Sequence, residues 1–302
     1  MTRSNQFLHY RWVSVLNTLC RIGLLVFFLM AQAFADNVDD FEETLKIGLL
    51  PDSAQKILDS RFGPLLHYIE DETGLRVEYK QSKDYLDLLN QFKEKELDAV
   101  FFGGYTFILA QQGAGAEPLV LRDNDLHFNT VFLVRPGSIE KRLRDYKDAV
   151  ISFGSRQSTS GHLMPRYFLD QQSIHPENFF SKVLYSGSHD KTAYWVRDGI
   201  ADIGAANSQV IKRMLREGDL QDSDIQILWQ TPDYTDYVWA IQPDMEPSLR
   251  VRLLDAFLSL SPLNPEHEHI LESAGAGGFL PAHDADFDLL RNVVRTLRSE
   301  MQ

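Results

Sequence analysis

The sequence predicts an α/β protein built from two lobes of similar topology. Segments typical of buried strands alternate with segments typical of amphipathic helices, and the connections between them are short. Pro136, Gly137 and Ser138 interrupt this alternation, and a second α/β series follows them. Leu97–Tyr105 and Ala201–Ser208 each combine an aspartate, a buried strand and a small or polar turn that opens a helix. This internal similarity favours two related lobes.

Before the interruption, apolar runs predict strands and helical spacing of apolar residues predicts two helices, the first of which ends at Gly74. The predicted elements are strand Leu45–Leu50, helix Arg61–Glu72, strand Leu75–Tyr79, helix Asp84–Glu94, strand Asp98–Phe102 and the strand pair Leu119–Arg122 and Thr130–Arg135. This order is typical of βαβ units.

The second series repeats the pattern. Its predicted elements are Val150–Phe153, His162–Asp170, Lys182–Tyr185, Lys191–Asp198, Asp202–Ala206, Ser208–Glu217 and Ile225–Trp229. The chain then finishes with the strand-like Tyr237–Ile241 and with amphipathic helices around Ser248–Leu260 and Ala285–Arg298.

Ser158, Thr159, Ser160 and Gly161 lie between a predicted strand and a predicted helix. The first backbone N–H groups of a helix lack intrahelical partners, so such a turn can bind an anion. The hydroxyls add rotatable donors, and Gly161 has no Cβ to hold a ligand away from the backbone. An ordinary Ser/Thr N-cap is the alternative interpretation of these four residues alone.

The N-terminus has the arrangement of a secretory signal peptide. Arg3, Arg11 and Arg21 precede the apolar stretch Ile22–Met30, and Ala33-Phe34-Ala35 follows as a cleavage motif. Residues 1–35 are therefore predicted to be a signal peptide, and the mature chain to begin at Asp36. An uncleaved anchor is the alternative, although the apolar stretch is short for a bilayer. The mature portion contains no cysteine, which suits a periplasmic protein without disulfides.

The chain is acidic, with 43 Asp and Glu against 30 Lys and Arg and a formal charge of −13. Removing residues 1–35, which contain three arginines and no acidic residue, makes it −16. Such a surface repels nucleic acid and anionic lipid, so neither is expected as a partner. An anionic ligand would have to be held by local donors and dipoles.

Several motifs, in order, resemble the phosphate/phosphite/phosphonate substrate-binding proteins of ABC transporters, the PhnD-type family. They are Lys46–Pro51, Asp84-Tyr85, Leu97–Tyr105, Ser158–Pro165, Gly187-Ser188-His189-Asp190, Gly278–Pro281 and Asp284–Phe287. These motifs span nearly the whole mature chain. The Ser-Thr-Ser-Gly turn followed by proline and later by Ser-His-Asp is the most specific combination.

The resemblance implies a type II periplasmic-binding-protein fold, in which two α/β lobes joined by a two-crossing hinge close on a ligand. Lobe one would comprise residues 36–135 plus 238–302, and lobe two residues 136–237. The hinge crossings would then fall near Arg135–Pro136 and Pro232–Tyr237.

The resemblance also implies a ligand-binding set. In the family, the hydroxyls equivalent to Ser158, Thr159 and Ser160 and the following helix N-terminus hold phosphoryl oxygens. His189 would add a donor, in a protonated or suitably tautomeric form, and Tyr85 and Tyr105 would close over the ligand. From the residues alone, His189 as a helix cap and the two tyrosines as packing aromatics remain open alternatives.

Two further positions bear on specificity. Family members that bind aminoalkylphosphonates place an acidic residue where this chain has Gln209, and a neutral amide cannot neutralise an ammonium group. An aminophosphonate is therefore disfavoured. Asp236, together with Asp233, remains a possible partner for a cation.

An enzymatic function, a cofactor and a metal site are not expected. Ser188 and Lys191 fit the pattern Ser-x-x-Lys, but no companion motif or nucleophile elbow accompanies them. His267 and His269 are two residues apart, which points their rings in different directions on a helix.

The resulting hypothesis is a monomeric periplasmic solute-binding protein. It would capture a small phosphorus oxyanion, namely a phosphonate, phosphite or phosphate, for an ABC permease. The alternative is a periplasmic sensor subunit of the same fold that signals to a membrane kinase or diguanylate cyclase. The sequence of one chain leaves both open.

Overall fold

The computed structural model describes residues 44–137 and 142–300, without the side chains of residues 298–300. The predicted signal peptide, residues 1–35, lies outside the described residues. Within residues 44–137 and 142–300, no helix combines the length and apolar character needed to cross a membrane.

The strands, in chain order, are β1 (Thr44–Leu49), β2 (Arg76–Lys80), β3 (Ala99–Phe102), β4 (Glu117–Arg122), β5 (Thr130–Val134), β6 (Val150–Phe153), β7 (Lys182–Tyr185), β8 (Ile203–Asn207), β9 (Gln226–Gln230), β10 (Val238–Ile241) and β11 (Phe279–Pro281). The α-helices are α1 (Gln55–Thr73), α2 (Tyr85–Lys93), α3 (Gly104–Ala114), α4 (Met164–Asp170), α5 (Pro176–Phe179), α6 (His189–Arg197), α7 (Ser208–Glu217), α8 (Pro247–Ser259), α9 (Pro265–Ala274) and α10 (Asp288–Glu300). A π-helix spans Thr159–Leu163, and 3₁₀ helices span Asp123–His127, Leu143–Tyr146 and Asp284–Phe287.

The strands form two sheets. One has the order β11-β4-β10-β3-β1-β2 and the other the order β7-β6-β8-β5-β9. Each sheet has three neighbouring parallel strands at one side: β1 pairs parallel with β2 and β3, and β6 pairs parallel with β7 and β8. The strands that arrive from elsewhere in the chain, β10 and β5, pair antiparallel with their neighbours. Each sheet therefore contains the βαβ units that the sequence predicts.

The inner strands β3, β5, β8 and β10 of the two sheets are buried. Along β5, Val131 and Leu133 contact the cluster that contains α6 and α7, whereas Phe132 and Val134 contact a second cluster that contains α4. Successive side chains of a strand point to opposite faces, so β5 is covered on both. In the six-stranded sheet, the Phe101 ring packs 5.3 Å from that of Trp239.

The sheet pairing places both crossings between the lobes earlier in the chain than expected. The family resemblance implied that residues 130–135 belong to lobe one, but β5 pairs with β8 and β9 of the five-stranded sheet. A continuous apolar run fits a buried strand of either sheet. The Pro136-Gly137 break marks the end of β5 but does not show to which sheet β5 belongs. The return crossing lies between β9 and β10. On this basis we propose that lobe one comprises residues 44–128 plus 235–300, and lobe two residues 129–234.

Local sequence fixes the helix starts that matter for the site. The Asp84 carboxylate accepts hydrogen bonds from the N–H groups of Leu86 and Asp87, both at 2.9 Å, and so begins α2 at Tyr85. The Asn207 side chain accepts from the N–H groups of Gln209 and Val210 and begins α7 directly after β8. Both helices start where a strand-to-helix connection faces the other lobe.

Candidate ligand-binding site

The Ser-Thr-Ser-Gly turn is the N-terminus of a π-helix. Ser158 is its N-cap, and the Ser158 hydroxyl accepts a hydrogen bond from the Gly161 N–H at 3.0 Å. The Leu163 N–H donates five residues back, to the Ser158 carbonyl, which widens this turn relative to an α-helix. Ser158, Thr159 and Ser160 are buried. The N-cap interpretation and the anion-binding interpretation therefore hold together, because a cap leaves the hydroxyl proton available to a ligand.

Gly161 allows the turn to approach His189. A Cβ at Gly161 would lie 2.9 Å from both His189 Cε1 and Ser158 Oγ, and 3.2 Å from the Gly154 Cα. Real Cβ atoms do not approach other atoms this closely without rearrangement. Only glycine at this position lets the imidazole contact the backbone of the turn.

His189 presents an unpartnered donor to the turn. The ring is 1% exposed, and its Nδ1 accepts a hydrogen bond from the Asn207 N–H at 3.2 Å. This bond assigns the proton of the neutral ring to Nε2, which has no hydrogen-bond partner among the described residues. Burial lowers the pKa of His189, opposed by the nearby Asp52 and Asp190 carboxylates. His189 is therefore a neutral donor at pH 7, and Ser188 occupies the cap position of α6.

Tyr85 supplies a second unpartnered polar atom. Its side chain is 1% exposed, and its hydroxyl lies beside Ser158 without a hydrogen-bond partner in the part of the chain that the structure describes. Burial, together with the Asp52 carboxylate, raises the pKa of Tyr85 well above its ordinary value. The hydroxyl thus keeps its proton and can donate it.

Asp236 supplies a third polar atom that has no hydrogen-bond partner among the described residues. Its Oδ1 accepts hydrogen bonds from the N–H groups of Gly104 at 2.8 Å and Tyr237 at 2.9 Å, while Oδ2 has no partner within the described ranges. Burial raises the pKa of Asp236 to about 6, although these backbone donors and the neighbouring Thr159 hydroxyl oppose the shift. The carboxyl group can therefore take up a proton near neutral pH and then donate it from Oδ2.

These polar atoms converge on the turn from both lobes. Burying a polar atom without a hydrogen bond is unfavourable, and such atoms are usually satisfied by water or a ligand. Here they are two donors and one carboxyl oxygen, next to hydroxyls and helix N–H groups. A small oxyanion would satisfy all of them once Asp236 is protonated, because its oxygens accept bonds from the Tyr85 and His189 donors and from a protonated carboxyl group.

Residues 47–287 match a family of proteins described as the periplasmic phosphonate substrate-binding proteins of ABC transporters. The chain belongs to this family. Among its relatives, the probable ABC transporter phosphite binding protein PhnD1 of Prochlorococcus marinus (strain MIT 9301) is 32% identical over 281 residues, which is 89% of this chain and 95% of that protein. The phosphate-import protein PhnD of Mycolicibacterium smegmatis is 25% identical over 283 residues, 87% of this chain and 88% of that protein.

A solved structure of the same Prochlorococcus PhnD1, in complex with methylphosphonate, is also similar. It superposes with a TM-score of 0.80 and 31% sequence identity, covering 85% of this chain and 99% of that one. The predicted family and its two-lobe periplasmic-binding fold are thereby confirmed.

Two residues of the expected set do not present their side chains as expected. The Tyr105 N–H donates to Thr159 Oγ1 at 3.0 Å, but the Tyr105 side chain lines a different cavity together with His162 and Arg166. Gln209 is exposed at the first turn of α7 and lines another cavity. A tyrosine or glutamine at a helix start can point to either side of it, and the sequence does not show which. We therefore propose a backbone role for Tyr105 and no direct ligand contact for Gln209.

Three residues at the site were missed by the sequence analysis. The Tyr237 hydroxyl donates to Asp52 Oδ2 at 2.6 Å and accepts from the Asn207 side chain at 2.8 Å. Asp52 also accepts a bond from the His189 N–H at its carbonyl oxygen, at 3.3 Å. These contacts join the two lobes in a closed arrangement. Their positions were the signal that could have indicated these residues. Each of the three lies at or just after the end of a strand, or at a crossing between the sheets.

Proposed function

We propose that this protein is the periplasmic receptor of an ABC importer and binds a small phosphorus oxyanion without a charged amine, such as methylphosphonate or phosphite. The observation that carries the proposal is the convergence on the Ser158–Ser160 turn of Tyr85, His189 and Asp236 atoms that have no hydrogen-bond partner within the described residues. The named ligands of Prochlorococcus PhnD1 support the same chemistry. Lobe closure would enclose the ligand and form the surface that a permease recognises.

The donors suit a phosphoryl group. The Ser158 hydroxyl accepts from the Gly161 N–H, so its proton remains free to donate, while the Thr159 hydroxyl accepts from the Tyr105 N–H and lies beside the Asp236 carboxyl group. Neutral donors can bind an anion without any cationic side chain among them, because hydrogen bonds to a charged group are stronger than those between neutral groups. This arrangement fits a chain whose overall charge is negative.

The carboxylates of the site do not suit an ammonium group. Asp236 lies beside Thr159 and Gly103, on the side of the phosphoryl group. The Asp52 carboxylate accepts a hydrogen bond from the Tyr237 hydroxyl and already faces the Arg61 guanidinium at 3.9 Å. Gln209 is neutral and exposed. An ammonium group would therefore have to share the Asp52 carboxylate with Arg61, and its burial beside that guanidinium is unfavourable.

We expect methylphosphonate and phosphite to bind at least tenfold more tightly than 2-aminoethylphosphonate. The test is calorimetric titration of the chain beginning at Asp36, with thermal unfolding as a second measurement, because a ligand at 100 times its Kd adds about 2.7 kcal/mol of stability. Aliphatic sulfonates serve as the control for anions in general. Tighter binding of the amine-bearing ligand would refute the specificity, and no binding of any phosphorus oxyanion would refute the function.

We expect His189→Gln to weaken methylphosphonate binding by about 1–2 kcal/mol while leaving the pH dependence unchanged. Glutamine can accept from the Asn207 N–H and donate to the ligand, as the neutral imidazole does. Because burial lowers the pKa of His189 below its usual range, the ring is neutral between pH 7 and pH 8.5 and has no charge to lose there. Affinities of both proteins across this range check the prediction. A flat profile in the variant beside a sloping one in the wild type would show that the imidazolium is the binding form.

A further inference from the structure

A cavity of about 300 Å³ adjoins the ligand-binding site at Asp52, Asn207 and Tyr237. Five cationic side chains line it, against three carboxylates. The cations are Arg61, Arg122, Lys212, Arg213 and Arg216, and the carboxylates are Asp52, Glu217 and Glu272. In a chain with a formal charge of −13, this local excess of positive charge is unusual.

Arg213 has unused hydrogen-bonding capacity in this cavity. The residue is 8% exposed, and neither Nε nor Nη1 has a hydrogen-bond partner among residues 44–137 and 142–300. Its Nη2 reaches Ser53 Oγ only at 3.5 Å, and the Glu217 carboxylate lies 4.0 Å from Nη1. A buried guanidinium normally finds a carboxylate or another anion, so the unpaired N–H groups indicate an absent partner.

The cations come from both lobes. Arg61 on α1 and Arg122 at the end of β4 belong to the six-stranded sheet, whereas Arg213 and Arg216 lie on α7 beside the five-stranded sheet. The Asp125 carboxylate pairs with Arg122 at 2.6 Å, whereas the Arg61 guanidinium lies 3.9 Å from the Asp52 carboxylate. Burial and the neighbouring Arg122 and Arg213 lower the pKa of Arg61, opposed by Asp52. Closure thus brings like charges together.

We propose that this cavity binds a second anion, an oxyanion with at least two negative charges, which bridges Arg61 of one lobe and Arg213 and Arg216 of the other. The site is distinct from the Ser158–Ser160 turn because the hydrogen bonds of Tyr237 to Asp52 and Asn207 lie between them. An anion there offsets the repulsion between the lobes and stabilises the closed form. By linkage, its binding and that of the primary ligand strengthen each other; this coupling rests on the proposed function.

Inorganic pyrophosphate is the probe for direct binding, titrated by calorimetry at an ionic strength held constant with NaCl. Pyrophosphate binding should weaken at least tenfold in the double variant Arg213→Gln/Arg216→Gln. It should weaken at least threefold in Arg216→Gln alone, and this variant should fold normally because the Arg216 side chain is exposed. Arg142→Gln, at a side chain that is 83% exposed elsewhere, is the control and should bind as the wild type does. No binding by the wild type at 5 mM, or an equal loss in the control, would overturn the proposal.

The coupling is tested by titrating methylphosphonate with and without saturating pyrophosphate. We expect the Kd of methylphosphonate to fall at least threefold in the wild type and to stay constant in the Arg213→Gln/Arg216→Gln variant. A rise in Kd would show competition for the primary site and would overturn the second one. Pyrophosphate binding that depends on Arg213, in a protein that binds no methylphosphonate, phosphite or phosphate, would support this site and refute the proposed function alone.

Discussion

Asp236→Asn is expected to bind methylphosphonate at least tenfold more tightly than the wild type at pH 8.5, and within about threefold of it at pH 5.5. Burial raises the pKa of Asp236 to about 6, so above this pH the empty site holds a carboxylate whose Oδ2 has no partner among the described residues. An incoming anion raises that pKa further, and binding must take up a proton. Wild-type affinity should therefore fall by up to tenfold for each pH unit above 6.

Asparagine imitates the protonated acid. Its carbonyl oxygen can accept from the N–H groups of Gly104 and Tyr237 as Oδ1 does, which leaves the amide N–H₂ at the position of Oδ2 as a permanent donor. The ligand ionises in the same way in both titrations. The difference between the two plots of affinity against pH therefore reports the ionisation of Asp236. Parallel plots of affinity against pH for the two proteins would show that Asp236 stays ionised in the complex. Asp236→Ala, which lacks the donor, should bind methylphosphonate weakly at every pH.

The same substitution is expected to stabilise the unliganded protein at high pH. The folded-state pKa of about 6 lies above the ordinary value of 3.8, so the carboxyl group contributes stability below pH 4 and loses it as the pH rises through 6. The difference between these two pKa values corresponds to roughly 3 kcal/mol in the free energy of unfolding. Denaturant unfolding should show Asp236→Asn more stable than the wild type at pH 8 and similar at pH 4. Asp222→Asn, an exposed position, is the control.

The sequence predicted most strands and the order of the two α/β series, because buried strands and amphipathic helices leave local apolar patterns. It did not place β5, since Thr130–Val134 is buried on both faces and would fit either sheet. The sequence indicated helices after the Leu97–Tyr105 turn and around His267, but it gave no bounds for α3 or α9. The first begins at Gly104 and is apolar nearly throughout, and the second, Pro265–Ala274, is dominated by charged residues and histidines, so neither has a clear helical period.

The candidate site was predicted where a motif is contiguous and missed where contacts are distant in sequence. The Ser158–Ser160 turn, His189, Tyr85 and Asp236 are brought together by the structure. The Asp52–Tyr237 hydrogen bond joins residues 185 positions apart, and no local pattern indicates such a pair. Side-chain direction was the other limit, as Tyr105 shows. Tyr105 was predicted to close over the ligand, but the side of the helix start that its ring takes depends on packing, and the ring lines a different cavity.

The largest loss of affinity is expected from removing the three hydroxyls of the turn together. The variant Ser158→Ala/Thr159→Val/Ser160→Ala should bind methylphosphonate at least a thousandfold more weakly, since each hydrogen bond to a charged group contributes about 1.5–3 kcal/mol and a thousandfold corresponds to about 4.1 kcal/mol. Calorimetric titration measures this. Valine keeps the shape of Thr159, so the effect is assigned to the hydroxyl.

The fold should survive this variant, because the loss of the Ser158 cap costs about 1 kcal/mol and each kcal/mol lowers Tm by about 2–4 °C in a domain of this size. Thr73→Val is the matched control: it removes a buried hydroxyl that donates to the Ile69 carbonyl in α1, and should lower stability without changing affinity. If the triple variant instead bound within tenfold of the wild type, the ligand would be held by the helix N–H groups with His189 and Tyr85, and the hydroxyls would serve only to shape the turn.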